Sequence, residues 1–216
     1  QRQRLHASFI ATDQDVDVIM PTVDALLADK LTAFAPHTVG VKLSDQSNMQ
    51  VIKQVVDIGE LFAQASDLPV IRKTYAAICA AEIGYRGGAV TRMQALDDTI
   101  ETARLISEIR LKGAKQDTRH PLFDRGLNKL QGHLIGEAFN IDSLKIAAAR
   151  AACVAALIRT SDTLVPLADM RYDPAYIANL KTVGIQLSKP LNRLLQVNPE
   201  AFFYWHKVDT LLRGDA

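Results

Sequence analysis

Residues 146–158 read IAAARAACVAALI, and this stretch decides the fold class. Arg150 is its single charged residue, so a helix formed here is apolar on nearly every face. A helix of this kind is buried among other helices, and its small alanine side chains let those neighbours approach closely. We therefore predict a mainly α fold, a bundle packed around a central Ala-rich helix at residues 141–169.

The remainder of the sequence supplies the surrounding helices. Apolar residues recur at three- and four-residue spacing in most of it, which is typical of amphipathic helices. Pro69, Gly113 and Pro121 stand where such segments begin or end. We expect about seven to nine helices in one domain covering residues 1–216, with a short extended arm at residues 1–11.

The first helix is predicted from the spacing of six apolar residues. Thr12 precedes them and offers a hydroxyl that can cap a helix N-terminus, so we place the helix start there. Pro21 lies inside the pattern, where it kinks the helix or begins its second half. The six residues are Val16, Met20, Val23, Leu27, Leu31 and Phe34.

The composition is that of a folded protein. Of the 216 residues, 48% are hydrophobic and 23% are charged, with a net charge of +1. A chain of this length buries about two thirds to three quarters of its unfolded surface. Its longest apolar run is shorter than the ~20 residues that cross a bilayer, so we expect no transmembrane segment. Cys79 and Cys153 lie among apolar residues and are predicted to be free buried thiols.

The expected cellular location rests on the first residues. The sequence begins Gln1-Arg2-Gln3-Arg4, without a methionine, and we take its native N-terminus to be missing. As written it has no signal peptide, which favours a cytoplasmic location. An extracytoplasmic location stays open, because a segment upstream of Gln1 would decide it.

The sequence contains none of the common catalytic motifs, such as Gly-x-Ser-x-Gly, His-Glu-x-x-His or the dinucleotide fingerprint. We therefore expect no catalytic residues, no cofactor and no metal site, in a protein that is not an enzyme. The run Tyr85-Arg86-Gly87-Gly88 is glycine-rich but lacks the preceding strand and the lysine of a phosphate loop. It predicts a bend between two helices.

A group of charged residues between positions 97 and 108 predicts one exposed helix face. Carboxylates that lie one turn away from arginine on a helix usually form surface ion pairs. We therefore expect no acid–base chemistry from this face. Its residues are Asp97, Asp98, Glu101, Arg104 and Glu108.

Four consecutive aromatic residues, FFYW at 202–205, predict an interaction surface near the C-terminus. On a helix, Phe202 and Trp205 share one buried side, which leaves Phe203 and His206 directed elsewhere. Exposed aromatic residues are enriched at interfaces. We therefore favour a non-enzymatic helical interaction or scaffold protein. It would be an assembly subunit that contacts a protein partner or a second copy through Phe203, Trp205 and His206.

Two alternatives stay open. Segment 104–129 is basic and could follow a phosphate backbone, so the first is a nucleic-acid-binding accessory protein. Phe123 is its only aromatic residue, which leaves base stacking without support. The second alternative is an extracytoplasmic helical-bundle sensor that binds a small anion near Arg86 or Arg150. The nucleic-acid contacts of the first would be Arg104, Arg110, Lys112, Lys115, Arg119, Arg125 and Lys129.

Overall fold

The computed structural model describes residues 2–5, 16–133, 139–160, 166–177 and 184–214. Within these ranges the fold is all-α apart from one two-stranded ribbon, which confirms the predicted fold class. The strands are β1 (Arg2–Leu5) and β2 (Val16–Ile19). Two 3₁₀ turns lie at Leu167–Met170 and Lys189–Arg193. The nine α-helices of the described residues are α1 (Val23–Ala33), α2 (Asn48–Gln64), α3 (Leu68–Tyr85), α4 (Arg92–Glu108), α5 (His120–Gln131), α6 (Ile141–Arg159), α7 (Pro174–Ile177), α8 (Leu194–Val197) and α9 (Pro199–Arg213).

The first elements differ from the sequence prediction. β2 pairs antiparallel with β1, with Arg2 opposite Ile19, in the stretch where the sequence predicts the first helix. α1 instead begins after Thr22, whose hydroxyl accepts the N–H of Ala25 at 3.2 Å. The predicted helix is therefore wrong over β2, because the alternating VDVI sequence is rich in β-branched residues that favour a strand.

Part of the predicted N-terminal organisation lies outside the described residues. Within residues 1–11 the structure describes Arg2–Leu5, which form β1. The predicted helix start at Thr12 also falls outside the description.

α6 is the central helix that the sequence predicts. It packs against α2, α4 and α9, and residues Ala147 to Ile158 are buried except for Arg150. A Cβ placed on Gly59 of α2 would lie 2.7 Å from the Cβ of Ala147. The two helices therefore touch through small residues, as the alanine content of α6 predicts.

α6 ends at Arg159, earlier than the predicted limit of residue 169. Arg72 of α3 donates hydrogen bonds to the carbonyl oxygens of Leu157 at 2.6 Å and Thr160 at 3.2 Å. These bonds satisfy carbonyl groups that have no partner within the helix. Residue spacing alone does not locate this end, because the side chain that caps it comes from another helix.

Arg171 caps the C-terminal end of α2 in a similar way. Its guanidinium donates to the carbonyl oxygens of Phe62 at 3.1 Å and Ala65 at 2.8 Å, and it also bonds that of Ala63. The same guanidinium lies 5.8 Å from the centroid of the Phe62 ring. A positive charge at a helix C-terminus also interacts favourably with the helix dipole. Two arginines thus hold the ends of α2 and α6 within the bundle.

The two cysteines are free and buried, as predicted. Cys79 lies on α3 and Cys153 lies on α6. Burial raises the pKa of the Cys153 thiol to about 12. This thiol therefore stays protonated at neutral pH and packs as a small apolar side chain.

No helix within the described residues combines the length and hydropathy needed to cross a bilayer. The buried apolar residues of the described chain form one cluster instead, to which each of the helices α1 to α9 contributes buried or partly buried side chains. The molecule therefore has a continuous core, and its functional features have to be sought on the surface of this core.

Candidate functional site

The structure places the predicted C-terminal surface inside the protein. Phe203 and Trp205 are 2% and 0% exposed. The rings of Tyr172 and Tyr176 meet Phe203 edge-on at centroid distances of 5.7 and 5.5 Å. The Trp205 indole donates to the Ser107 hydroxyl at 2.9 Å. The predicted exposure of Phe203 is therefore wrong, because α9 is covered on two sides and not on one.

His206, the third residue of that predicted surface, is also buried, at 8% exposed. Neither of its ring nitrogens has a hydrogen-bond partner within the described part of the chain. Burial lowers the pKa of the imidazole, and the ring lies 6.3 Å from that of Phe202. His206 therefore packs in the core as a neutral ring at neutral pH, and its predicted exposure is wrong.

The basic segment 104–129 is largely neutralised within the fold. Five of its seven cations bond to carboxylates or carbonyl oxygens. A phosphate backbone would have to compete with these partners, which reduces the electrostatic gain of binding. Lys112 and Lys115 are exposed. The bonds are Arg104 with Glu101 and Glu108 (both 2.7 Å), Arg110 with Asp124 (2.9 Å), Arg119 with Asp117 (2.7 Å), Arg125 with Asp45 (2.7 Å) and Lys129 with the carbonyl of Asp45 (2.9 Å).

The two arginines predicted as anion contacts also bond within the fold. Arg86 Nη2 donates to the carbonyl oxygen of Gly40 at 2.9 Å. Arg150 Nη1 donates to the carbonyl oxygen of Gly59 at 2.9 Å, and its Nη2 donates to Glu200 at 2.7 Å. The charge of Arg150 inside the apolar helix is therefore compensated by a carboxylate, which limits the cost of burying it.

Two carboxylates of the predicted exposed face of α4 are buried. Asp98 accepts hydrogen bonds from the backbone N–H of His37 at 2.8 Å, from the His37 ring at 2.9 Å and from the Thr38 hydroxyl at 2.8 Å. Glu108 accepts a hydrogen bond from the hydroxyl of Ser188. The predicted exposure is wrong for Asp98 and Glu108, because these partners approach α4 only in the folded chain.

Tyr85, the last residue of α3, is 85% exposed. The turn after it is closed by two hydrogen bonds, from Gly88 N–H to the carbonyl of Ile83 at 2.9 Å and from Gly87 N–H to that of Gly84 at 3.2 Å. This is a Schellman arrangement, and both Gly87 and Gly88 have positive φ, at 85° and 76°. The closed turn fixes the direction in which the end of α3 presents Tyr85.

The other side of this turn is closed by a capping box. The Thr91 hydroxyl accepts the N–H of Gln94 at 3.2 Å, and the Gln94 side chain accepts the N–H of Thr91 at 2.8 Å. Met93, between them, is 40% exposed. The surface that flanks the turn is named the α3–α4 tip and consists of Tyr85, Arg86, Arg92 and Met93, all exposed.

A pocket of about 200 Å³ lies between α1, α3 and the connector that joins α1 to α2. It shares Arg86 with the α3–α4 tip. Val39 and Ile78 contribute to its apolar wall, and Asp29 and Glu82 contribute carboxylates. Pockets for drug-sized ligands measure about 300–1,000 Å³, so this one has room for a single side chain.

The described residues contain no group of three or more His, Cys, Asp or Glu side chains that could hold a metal ion. Comparison with known proteins gives no match, since no family model, no curated protein and no solved structure is significantly similar to the chain. Function is therefore inferred from the surfaces of the molecule itself.

Proposed function

We propose that the chain is a helical interaction subunit that binds a partner protein, or a second copy of itself, through the α3–α4 tip. The observation that carries this proposal is Tyr85, an aromatic side chain that is 85% exposed at the end of α3, beside a turn closed by hydrogen bonds at both ends. Aromatic residues are enriched at binding hot spots. A turn that is already ordered loses little conformational freedom when a partner binds, which favours affinity.

The composition of the α3–α4 tip supports a protein partner. Tyr85 and Met93 are exposed apolar residues, and Arg86 and Arg92 place cations beside them. Tyrosine, methionine and arginine are enriched at protein interfaces relative to the rest of protein surfaces. The neighbouring pocket of about 200 Å³ offers a partner side chain a recess with an apolar wall.

The proposed function is the one that the sequence favours, but the proposed binding surface is the α3–α4 tip and not the C-terminal aromatic residues. The C-terminal aromatic residues Phe203 and Trp205 stabilise the core, where a partner cannot reach them without unfolding α9. The α3–α4 tip lies on the surface and needs no rearrangement to be reached.

The substitution Tyr85→Asp tests the proposal, with Val197→Asp as its matched control. Val197 is an apolar residue of α8 that is 61% exposed. Both variants should keep the circular dichroism spectrum and melting temperature of the wild type, because each replaced side chain is exposed. If the wild type self-associates, light scattering over a concentration series will show Tyr85→Asp shifted toward the monomer mass and Val197→Asp unchanged.

A photo-crosslinking phenylalanine analogue tests for a different partner. It is placed at position 85 or, as the control, at position 197 of the full-length protein in the cells that produce it. Crosslinked products that are specific to position 85 and lost on adding Met93→Asp support the proposal. A monomeric wild type with no product specific to position 85 contradicts it.

The two alternatives from the sequence have weaker support. Nucleic-acid binding would rely mainly on Lys112 and Lys115, since the other five cations of segment 104–129 have partners within the fold. It predicts affinity whose logarithm falls steeply with the logarithm of the salt concentration. The anion sensor has weaker support because Arg86 and Arg150 both donate to groups of the protein.

A further inference from the structure

A pocket of about 430 Å³ lies at the C-terminal end of α4, where the connector 109–119 leads into α5. It is distinct from the α3–α4 tip, at the opposite end of α4. Its polar lining includes Arg110, Lys115, Gln116 and His120. We name it the connector pocket. Its volume falls within the range of about 300–1,000 Å³ that is typical of small-molecule sites.

The carboxylates that line the connector pocket are already paired. Asp117 bonds Arg119 at 2.7 Å, and this guanidinium holds the pKa of the Asp117 carboxyl well below its usual range. Asp124 pairs with Arg110 at 2.9 Å. Glu108, the third lining carboxylate, pairs with Arg104 of α4 at 2.7 Å. The negative charges of the pocket are therefore compensated before any ligand binds.

Two nitrogen-bearing side chains of the connector pocket have polar groups without partners. His120 Nε2 is buried and makes no hydrogen bond within the described residues, although buried polar atoms are normally paired. Lys115 is exposed at the pocket, and the described part of the chain gives it no ion pair. A ligand that supplies acceptor oxygens and negative charge would satisfy both groups.

Backbone strain marks the same connector. Arg110 has a φ of 61°, in the left-handed region that disfavours side chains. The other residues with positive φ in the described chain are all glycines, at positions 87, 88, 113 and 214. Strained residues of this kind cluster at functional sites, where a side chain is kept despite its conformational cost. Arg110 lines the pocket, and its guanidinium bonds Asp124 through one nitrogen, Nη2.

We propose that the connector pocket binds a phosphate group, with Lys115 and an Nε2–H of His120 donating to its oxygens. Arg110 keeps its bond from Nη2 to Asp124 and offers its remaining guanidinium N–H groups to the same ligand. A phosphate carries negative charge and several acceptor oxygens, which matches the ammonium group of Lys115, an imidazole donor and the guanidinium N–H groups of Arg110 that do not bond Asp124. The phosphate could belong to a small phosphorylated compound or to a nucleic-acid backbone. This proposal does not depend on the partner surface proposed above.

The first experiment follows the five histidines of the chain by NMR with ¹³C-labelled histidine. Inorganic phosphate is titrated at constant ionic strength and at a pH above 7, and His120→Gln assigns the resonance of His120. We expect a saturable shift of the His120 ring signal and no saturable shift of His37 or His133. Absence of a saturable shift at His120 would overturn the proposal.

A pair of lysine variants supplies the matched control. Lys112 and Lys115 are exposed lysines of the same connector, and Lys115 lines the pocket whereas Lys112 does not. Lys115→Met should raise the dissociation constant for phosphate about tenfold, as expected for the loss of one charge-assisted hydrogen bond. Lys112→Met should leave it unchanged. Equal weakening by both variants would show diffuse charge attraction and would overturn the site.

A competing oligonucleotide without terminal phosphates identifies the source of the phosphate. If the oligonucleotide displaces inorganic phosphate and shifts the His120 signal, the site binds a nucleic-acid backbone. If inorganic phosphate binds and the oligonucleotide does not compete, the site takes a small phosphorylated compound. Both outcomes require the phosphate contact that the proposal assigns to Lys115 and His120.

Arg110→Gly tests whether the strained residue serves the ligand. Glycine removes the strain at a φ of 61°, so the melting temperature should be no lower than that of the wild type despite the loss of the bond to Asp124. The dissociation constant for phosphate should rise about threefold, because Arg110 is an exposed cation. An unchanged dissociation constant would overturn the role of Arg110.

Discussion

At the N-terminal side of α4 the chain passes through left-handed conformations at Gly87 and Gly88, whereas at the C-terminal side it does so at Arg110 and Gly113. The first turn is unstrained, closed by hydrogen bonds at both ends and flanked by the exposed Tyr85. The second connection carries a strained arginine beside a pocket. Glycine adopts this conformation at little cost, so a strained arginine at one of these four positions agrees with the ligand-binding role proposed for the connector pocket.

Charge pairing differs between the same two regions. At the α3–α4 tip, Arg86 Nε lies 3.9 Å from Glu82, and both side chains are well exposed. At the other end of α4, Arg104 bonds Glu101 and the buried Glu108 at 2.7 Å each, and these bonds raise the pKa of the guanidinium. The ion pair at the tip is therefore exposed, whereas the ion pairs at the C-terminal end of α4 include a buried carboxylate.

The largest expected effect comes from removing the buried carboxylate at the C-terminal end of α4. Glu108→Ala should lower the free energy of unfolding by about 2 kcal/mol, because Arg104 and Ser188 lose a buried partner. Glu82→Ala at the tip should change it by less than about 0.5 kcal/mol, since its ion pair is long and exposed. Urea unfolding curves measure both values. Equal changes in the free energy of unfolding for the two variants would contradict the proposed difference in charge pairing.

A smaller effect is expected from the glycines of the α3–α4 turn. Gly88→Val should destabilise the protein by about 1–2 kcal/mol, because a β-branched residue is strained at its φ of 76°. Gly84 lies in α3, and a methyl group added there would meet no neighbouring element within 4 Å, so Gly84→Ala should stabilise by up to about 1 kcal/mol. Thermal unfolding compares the two variants. A neutral Gly88→Val would contradict the left-handed geometry of the turn.

The smallest effect is a pH dependence that originates in the core. The pKa of His206 is lowered from its ordinary value of 6.5 mainly by burial, partly offset by the Asp209 carboxylate, with Lys207 and Arg213 lowering it further. Below pH 6.5 the unfolded chain therefore binds a proton that the folded chain does not, and stability falls as the pH falls through this range. The expected loss between pH 7 and pH 6 is under about 0.7 kcal/mol.

Unfolding of the wild type and His206→Phe at both pH values measures this loss. His206→Phe should lose less stability than the wild type over this range, and an equal change in both proteins contradicts the lowered pKa. The same measurement shows over which pH range His206 stays neutral in the core. The phosphate titration of the connector pocket is carried out within that range.

The parts of the fold that the sequence predicts are those decided by local pattern. The position of α6 follows from an alanine-rich run with one charge, and the buried thiols follow from their apolar neighbours. β2 is missed because Val16 and Met20 fit helical spacing as well as strand alternation, and only pairing with β1 decides between them. Local pattern thus identifies the apolar segments, but it does not show which other segment each of them packs against or pairs with.

The surfaces are predicted less well, because burial depends on distant segments. Phe203 is covered by Tyr172 and Tyr176, and Asp98 is covered by the connector that carries His37. None of these contacts has a signal in residue spacing. The bend at Tyr85 was predictable from its glycines, whereas the exposure of Tyr85 follows from the way the turn projects from the bundle.

The arginine that caps α2 has a consequence for synthesis of the chain. Arg171 follows the Ala65 carbonyl that it bonds by 106 residues. At a translation rate of about 5–20 residues per second, the end of α2 is synthesised about 5–20 s before its capping side chain. Arg72, in contrast, precedes the α6 carbonyl that it bonds by 85 residues and is already present when that helix emerges. Completion of α6 can therefore follow its synthesis at once, whereas the end of α2 waits for the C-terminal part of the chain.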